Sequence, residues 1–277
     1  MTPAEGLPEL LGERIADAAR RRSPFTGARQ TLTVGLTGPQ GSGKSTLAAK
    51  LAPLLGERGL RAAVLALDDI YLTKAQRQDL ARRVHPLLAT RGVPGTHDVA
   101  LGANAMQDMR RPGVALVPRF DKAGDDRLPR SEWRPVEGPV DVILFEGWCV
   151  GARPQPDEAL AAPVNALERT HDQAGVWRRY VNGMLNGPYD DLFGPVIGFQ
   201  VLLRAPAFAM VLGWRQQQEH ELIARTGAGQ SDAELAVFVQ HYERLSRWID
   251  AEMPDRADVV VRLGPDRQVV EVSERRN

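Results

Sequence analysis

An α/β fold with a parallel sheet flanked by helices is what this sequence predicts, and three observations predict it. Apolar runs of strand length recur at "TLTVGL" (31–36), "RAAVLAL" (61–67), "VDVILFEG" (140–147) and "FQVLLRA" (199–205); near-continuous runs of this kind mark strands buried on both faces. The first two are joined by a segment of helical length, 44–58, closed by Gly59, which is strand–helix–strand order. The turn that opens this helix reads "GPQGSGKST" (38–46), a glycine-rich link of the kind that joins a strand tightly to a helix.

The other elements follow in chain order. Leu7, Leu10, Leu11 and Ile15 sit at helical spacing, so residues 1–30 read as an N-terminal helical extension. Thr73 is placed to cap a helix running towards His85, and Asp98, ending the Gly/Pro-rich loop "TRGVPGTHD" (90–98), to cap one through Met109. "VALVPRF" (114–120) reads as a further strand. A long insertion before "FQVLLRA" carries a helix near 164–185, with Leu167, Trp177, Val181 and Leu185 on one face. Ser231 and Glu234 have capping-box spacing. Leu235, Phe238, Val239, Tyr242, Leu245 and Ile249 then form a stripe that reads as core, not as a ligand contact. "ADVVVRLGPDRQVVEV" closes the chain as a hairpin. With no internal repeat or linker, residues 1–277 read as a single domain with insertions.

Composition narrows the partners. Of the 277 residues 43% are hydrophobic and 25% charged, enough apolar material for a real core. Lys+Arg and Asp+Glu are both 35, so no global basic field points to nucleic acid, and any anion recognition is local. Cys149 is the only cysteine, which rules out an intramolecular disulfide and suits a reducing compartment. Five scattered histidines without a cysteine pair give no zinc framework. No leader-like run stands at the N-terminus, and no window approaches the roughly 18 apolar residues of a membrane span. The expectation is a soluble cytoplasmic protein acting on a small molecule, without nucleic-acid or membrane partners and of undetermined oligomeric state.

"GPQGSGKST" fits the phosphate-binding pattern of nucleoside triphosphatases through Gly38, Gly43, Lys44 and Ser45, between a predicted strand and a predicted helix. Gln40, Gly41, Ser42 and Thr46 complete the cradle. Glycines let backbone N–H groups converge on phosphate oxygens, and the helix N-terminus adds a positive dipole end. Lys44 would reach the β- and γ-phosphates, and the Ser45 hydroxyl would ligate Mg²⁺. The absence of an Asn-Lys-x-Asp stretch favours ATP over GTP. In "DVILFEGW" an acid, Glu146, ends a buried strand, where strand termini converge on the ligand crevice. It would bind Mg²⁺ through water or orient a nucleophile. "LDDIYLT" (67–73) puts Asp68 and Asp69 at another strand end, expected to lie next to the strand of the cradle. Side-chain alternation along a strand gives the two acids different tasks. Tyr71 would either stack beside an acceptor or pack against the loop.

"GPQGSGKST", "LDDIYLT", "RGVPGTHD", "PRFDKAGDDRLP", "FEGWCVG" and "WRQQQEHEL" stand in order over residues 38–222. In these blocks the sequence resembles the P-loop small-molecule kinases, a group with uridine kinase, phosphoribulokinase and pantothenate kinase. Within them it is most similar to the plant-type D-glycerate 3-kinases. Ile70 stands where such blocks commonly carry Phe, and Gln216 where an apolar residue is common. The resemblance implies a P-loop NTPase-type fold with helical insertions and a lid, and ATP and Mg²⁺ as cofactors. It makes Asp68 the catalytic base, also near the metal with Ser45 and Glu146. Asp69 becomes a loop-fixing group or a metal contact through water, and Arg215 a lid residue on the transferred phosphate.

A hydroxy-acid acceptor carries a carboxylate, which calls for local cationic donors. "RGVPGTHD" supplies Arg91 and His97, and "PRFDKAGDDRLP" supplies Arg119, Lys122 and Arg127. Arg119 and Lys122 are the first choices, and Asp121 is placed to accept from a substrate hydroxyl. The function implied is phosphorylation of a small hydroxy acid, D-glycerate first. A kinase for a nucleoside, pantothenate or sugar acid is one alternative, and a nucleotide-binding regulatory ATPase another.

Overall fold

The computed structural model describes residues 6–22, 30–227 and 229–275. Parts of the expected N-terminal extension, residues 1–5 and 23–29, lie outside the described residues. In chain order the elements begin with α1 (Leu7–Arg21), β1 (Leu32–Thr37), α2 (Lys44–Glu57) and β2 (Ala62–Ala66). They continue with α3 (Lys74–Arg83), α4 (Val99–Met109), β3 (Gly113–Val117), β4 (Phe120–Asp121), β5 (Asp126–Arg127), β6 (Arg134–Gly138) and β7 (Val142–Gly147). After these come α5 (Ala166–His171), α6 (Val176–Leu185), α7 (Asp190–Phe193), β8 (Ile197–Arg204), α8 (Ala209–Thr226), α9 (Asp232–Glu252), β9 (Val259–Leu263) and β10 (Val269–Glu274).

Six strands form the main sheet in the order β10-β9-β8-β1-β7-β2. All neighbours are parallel except the final hairpin, in which β10 runs antiparallel to β9. The sheet has a core on each face, and side-chain alternation assigns residues to them. Val142 and Leu144 of β7 join Leu11, Ile15, Leu51 and Leu55 of α1 and α2 on one face. Ile143 and Phe145 join Met106, Trp177, Tyr242 and Ile249 on the other. Helix α1 packs on α2 and so belongs to the sheet's own core.

Three expectations are corrected. The strand carrying the acid pair does not neighbour the strand of the cradle, because β7 lies between them, paired with both. Burial explains the order. Every residue of β7 is buried, as a central strand requires, whereas β2 alternates half-buried and buried positions, as suits an edge. The run 114–120 is not one strand. Pro118 has no N–H to give a ladder, and the chain splits into β3, paired with β6, and β4, paired with β5, both outside the main sheet. The insertion helix is also broken, into α5 and α6, by Gly175 at φ +74°. Leu167, Trp177, Val181 and Leu185 are nonetheless all buried.

Local chemistry sets the helix starts nearest the site. Thr73 with Gln76, and Ser231 with Glu234, form reciprocal capping boxes on α3 and α9. Asp98 accepts the Leu101 N–H at the start of α4. Each such cap stabilises its helix by about 1 kcal/mol. The parallel strands β1, β2, β7 and β8 all end on one edge of the sheet. Thr37, Ala66, Gly147 and Arg204 lie there, and the candidate site is built on that edge.

Candidate active site

The link from β1 to α2 wraps as its glycines require. Gly41 and Gly43 have φ of +78° and +85°, the left-handed region that side chains disfavour. Gly38 has no room for a side chain, since a Cβ there would lie 2.8 Å from Ser42 Oγ and 2.9 Å from Leu203 Cβ. At Gly41 a Cβ would come within 2.6 Å of Trp214 Cβ on α8. The Gly41 carbonyl accepts from Arg267 Nε at 2.7 Å, while the same guanidinium lies over the Trp214 ring at 5.6 Å and reaches Gln217 Oε1 at 3.0 Å. The turn of the final hairpin thus ties the cradle to α8.

Gln40 Oε1 and Ser42 Oγ are buried in this loop and make no hydrogen bond among the described residues. Lys44 begins α2, with the exposed Ser45 and Thr46 after it. Ser45 Oγ donates to Glu146 Oε1 at 2.7 Å, and Glu146 is 7% exposed at the end of β7. Unpaired buried oxygens in a glycine nest, a lysine at the helix start and a hydroxyl–carboxylate pair fit a nucleoside triphosphate with a divalent cation. Among the described residues no group of three or more His, Cys, Asp and Glu is placed to hold a metal. Mg²⁺ carried on phosphates needs no such cage, taking one hydroxyl, an outer carboxylate and water.

The second half of the site starts where β2 ends. Leu67–Ile70 is a 3₁₀ turn, so Asp68 and Asp69 diverge by helical rotation and not by strand alternation. Asp68 Oδ1 accepts the Tyr71 hydroxyl at 2.7 Å and Oδ2 accepts Lys122 Nζ at 2.6 Å. Burial opposes its ionised form. The charges of Lys122 and Lys44, with hydrogen bonds from Lys122 and Tyr71, outweigh that and hold the carboxyl well below the usual carboxylate range. The Lys122 ammonium is raised in turn, first by Asp68. The Asp68 side chain keeps 34% exposure, so it lies in an open cleft that a small molecule can enter. Asp69 instead accepts the Phe120 N–H at 3.1 Å, tying the turn to β4, and burial raises its pKa.

Lys122 reaches Asp68 because the β4–β5 hairpin is clamped from below. Arg77 of α3, fully buried, donates to the Leu72, Ala89 and Asp125 carbonyls and pairs with the Asp125 carboxylate at 2.6 Å. Arg91 pairs with the same carboxylate and donates to the Lys122 carbonyl at 3.2 Å. Both guanidiniums lie against the Phe120 ring. Asp125 takes a positive φ of +54° to serve both. Arg77 and Asp125 escaped sequence reasoning: Arg77 stands in a polar helix that reads as solvated, and Asp125 in a turn.

Several expected acceptor residues are placed otherwise. Arg119 is exposed and donates to the Glu132 carbonyl at 3.3 Å, not towards Asp68, because Pro118 ends the strand that would have aimed it. Asp121 accepts the Ala123 and Gly124 N–H groups, each at 3.0 Å, and so caps its own turn. Arg127 binds the Tyr71 carbonyl and Asp98, bracing the loop. His97 is no cation: burial pushes its pKa down to about 3, and its ring stacks on Tyr71 at 4.6 Å. Tyr71 is 3% exposed, so of the two roles weighed for it the structure places it packed in the loop, with its hydroxyl on Asp68. Arg215 forms an ion pair at 2.6 Å with buried Glu219, one residue after the Trp214 contact with the cradle. Ile70 is wholly buried against Gly102 of α4, so it affects packing and not the cleft.

A triphosphate cradle facing a carboxylate–lysine pair defines a P-loop kinase. A family model described as "Methylmalonyl Co-A mutase-associated GTPase MeaB" matches residues 17–71, the segment through the cradle to Tyr71. An "Uncharacterized kinase mug58" of Schizosaccharomyces pombe is 34% identical, with 76% of this chain and 77% of that protein covered. The chloroplastic D-glycerate 3-kinase of Arabidopsis thaliana is 33% identical over 89% of this chain, which spans 53% of that protein. The structure of a D-glycerate 3-kinase from Cryptococcus neoformans superposes with a TM-score of 0.79 at 27% identity, covering 97% of this chain and 99% of that one. The chain belongs to this family of glycerate 3-kinase-like P-loop kinases. Among the described residues no helix is long and apolar enough to cross a membrane.

Proposed function

We propose that the protein transfers the γ-phosphate of ATP to a hydroxyl of D-glycerate, giving 3-phosphoglycerate. The observation that carries the reading is Asp68 held between Lys122 and Tyr71, with the Lys44 charge acting on it from the cradle. An acceptor entering this cleft meets a carboxylate for its hydroxyl and an ammonium for its carboxylate. The two named D-glycerate 3-kinases support the acceptor.

In this reading the cradle N–H groups and Lys44 bind the β- and γ-phosphates, with Gly38, Gln40, Gly41, Ser42, Gly43 and Thr46 shaping the loop. Ser45 and Glu146 would hold Mg²⁺, which when bound would offset charge on the transferred phosphoryl group. Asp68 accepts a hydrogen bond from the attacking hydroxyl, aligns it with the γ-phosphate and takes its proton as the bond forms. Its depressed basicity suits a loose transition state, in which alignment matters more than early deprotonation. Asp68 keeps acceptor capacity beyond its bonds to Tyr71 and Lys122, so in this reading it also lies near the metal held by Ser45 and Glu146. Lys122 leaves Asp68 for the acceptor carboxylate, and Arg215 exchanges Glu219 for the transferred phosphate. The single cysteine, buried Cys149, supports a reducing, cytoplasmic setting.

The test is incubation with ATP, Mg²⁺ and D-glycerate, with the product identified by NMR, beside uridine, pantothenate and sugar acids in an ADP-release assay. Turnover of uridine but not glycerate would overturn the acceptor. ADP release indifferent to every acceptor would mark a regulatory ATPase. GTP in place of ATP addresses the GTPase-family match, which ends at Tyr71 and so includes Asp68 but not His97 or Lys122.

A further inference from the structure

The steps above leave one buried ring without a task. His97 is 4% exposed and bridges backbone to backbone with Tyr71. Its imidazole stacks on the Tyr71 ring, whose hydroxyl binds Asp68. Asp68 is also the one charge that acts on the imidazole. His97 therefore stands one ring away from the carboxylate that meets the acceptor. Its two nitrogens differ in environment. Nδ1 lies 2.6 Å from the hydroxyl of Tyr189, whereas Nε2 is buried and makes no hydrogen bond among the described residues.

Counting donors assigns the protons. The Tyr189 oxygen accepts the Gly95 N–H at 3.0 Å. Among the described residues the only acceptor paired with its hydroxyl proton is His97 Nδ1. Burial pushes the Tyr189 pKa well up, so the hydroxyl keeps that proton. Tyr189 thus donates to Nδ1, and the neutral imidazole carries its own proton on Nε2. Tyr189 is fully buried, with Phe193 edge-on at 5.3 Å, and this fixes the hydroxyl. A buried N–H left unpaired costs about 1–3 kcal/mol. Structures tolerate that cost where a ligand completes the bond.

We propose that His97 donates an uncharged hydrogen bond from Nε2–H to the acceptor, and that Tyr189 is the positioning residue that fixes this tautomer. The proposal rests on the functional reading above for the location of the acceptor, and it deepens that reading by naming a donor. Lys122 supplies charge for the carboxylate. His97 supplies direction for a neutral oxygen, such as the hydroxyl of a hydroxy acid that does not react. The pair selects an acceptor with an anionic group and a second hydroxyl over a simple alcohol. Tyr189 lies in the insertion between β7 and β8, so that insertion is part of acceptor selection.

Imidazole ¹⁵N spectra of the wild-type protein test this, with His97 assigned by difference from His97→Gln. They are taken with a non-hydrolysable ATP analogue, before and after D-glycerate. The expected result is an Nε2–H tautomer whose Nε2 resonance moves on acceptor addition. Tyr189→Phe is expected to lose the tautomer preference and to raise the acceptor KM about tenfold, with the ATP KM unchanged. His97→Gln, which keeps an amide N–H near Nε2, should retain more acceptor affinity than His97→Leu. An Nδ1–H tautomer, or an Nε2 resonance unmoved at saturating acceptor, overturns the proposal on wild-type protein alone, whatever the variants do. Turnover of a different acceptor would sink the functional reading, while the same spectra with that acceptor would still decide the role of His97.

Discussion

The phosphate cradle and the acceptor cleft lie on one edge of one sheet, yet the chain builds them by different means. The cradle is nine consecutive residues whose shape comes from glycine backbone, with Gly41 and Gly43 at positive φ and no space for a side chain at Gly38. The proposed acceptor cleft is assembled from side chains at 68, 71, 97, 122 and 189, and Asp68 meets Lys122 across 54 positions. Backbone geometry tolerates little substitution, and generic phosphate chemistry asks for little. A cleft made of side chains can be retuned one residue at a time, which is where acceptor choice belongs.

Substitutions can break that contrast. Asp68→Asn should lower turnover by about 10²–10⁴-fold while ATP binding, measured by calorimetry, stays intact; a near-wild-type rate would remove Asp68 from the chemistry. Gly41→Ala should do the reverse. A left-handed φ and the clash with Trp214 together should weaken ATP binding about 10–100-fold, with the acceptor KM little changed in steady-state kinetics.

Lys122→Met should raise the acceptor KM about tenfold and also move the pH profile. Asp68 acts as the anion, so activity falls as pH drops through its pKa. Lys122 is the largest influence lowering that pKa, and removing it leaves only Lys44 and Tyr71 to oppose burial, so the pKa rises. The acid limb of kcat/KM should therefore shift to higher pH, and an unshifted limb would assign it to another group. The smallest effect is expected from Arg267→Ala, which frees the Gly41 carbonyl. Losing one hydrogen bond of about 1 kcal/mol should raise the ATP KM about fivefold without touching the acceptor KM.

The same contrast explains what could be read from residue order. Cradle, capping boxes and the Asp98-capped helix are local patterns, and α4 begins and ends where they place it. Strand order is not local: β2 was expected beside β1, and only the full burial of β7 against the alternation of β2 shows why β7 takes the centre. In the cleft, basic residues in "PRFDKAGDDRLP" look equivalent. Pro118, the Asp121 turn and the Arg77–Asp125 clamp decide that Lys122 faces Asp68 and Arg119 does not. His97 looks like a cation until its burial is known, and Tyr189 gives no local sign because its partner lies 92 positions away.

The tie between Arg267 and Gly41 joins residues 226 positions apart. On a ribosome the cradle residues emerge well before the guanidinium that holds their carbonyl, which follows 226 positions later. A nascent chain displaying "GPQGSGKST" thus lacks one tie of its nucleotide site until the β9–β10 hairpin has docked. Contacts of such long range form slowly, since loop closure precedes any gain. The gain in ATP affinity that this tie supplies then reports docking of the β9–β10 hairpin, and nucleotide protection in a pulse-proteolysis experiment would serve as a clock for that step.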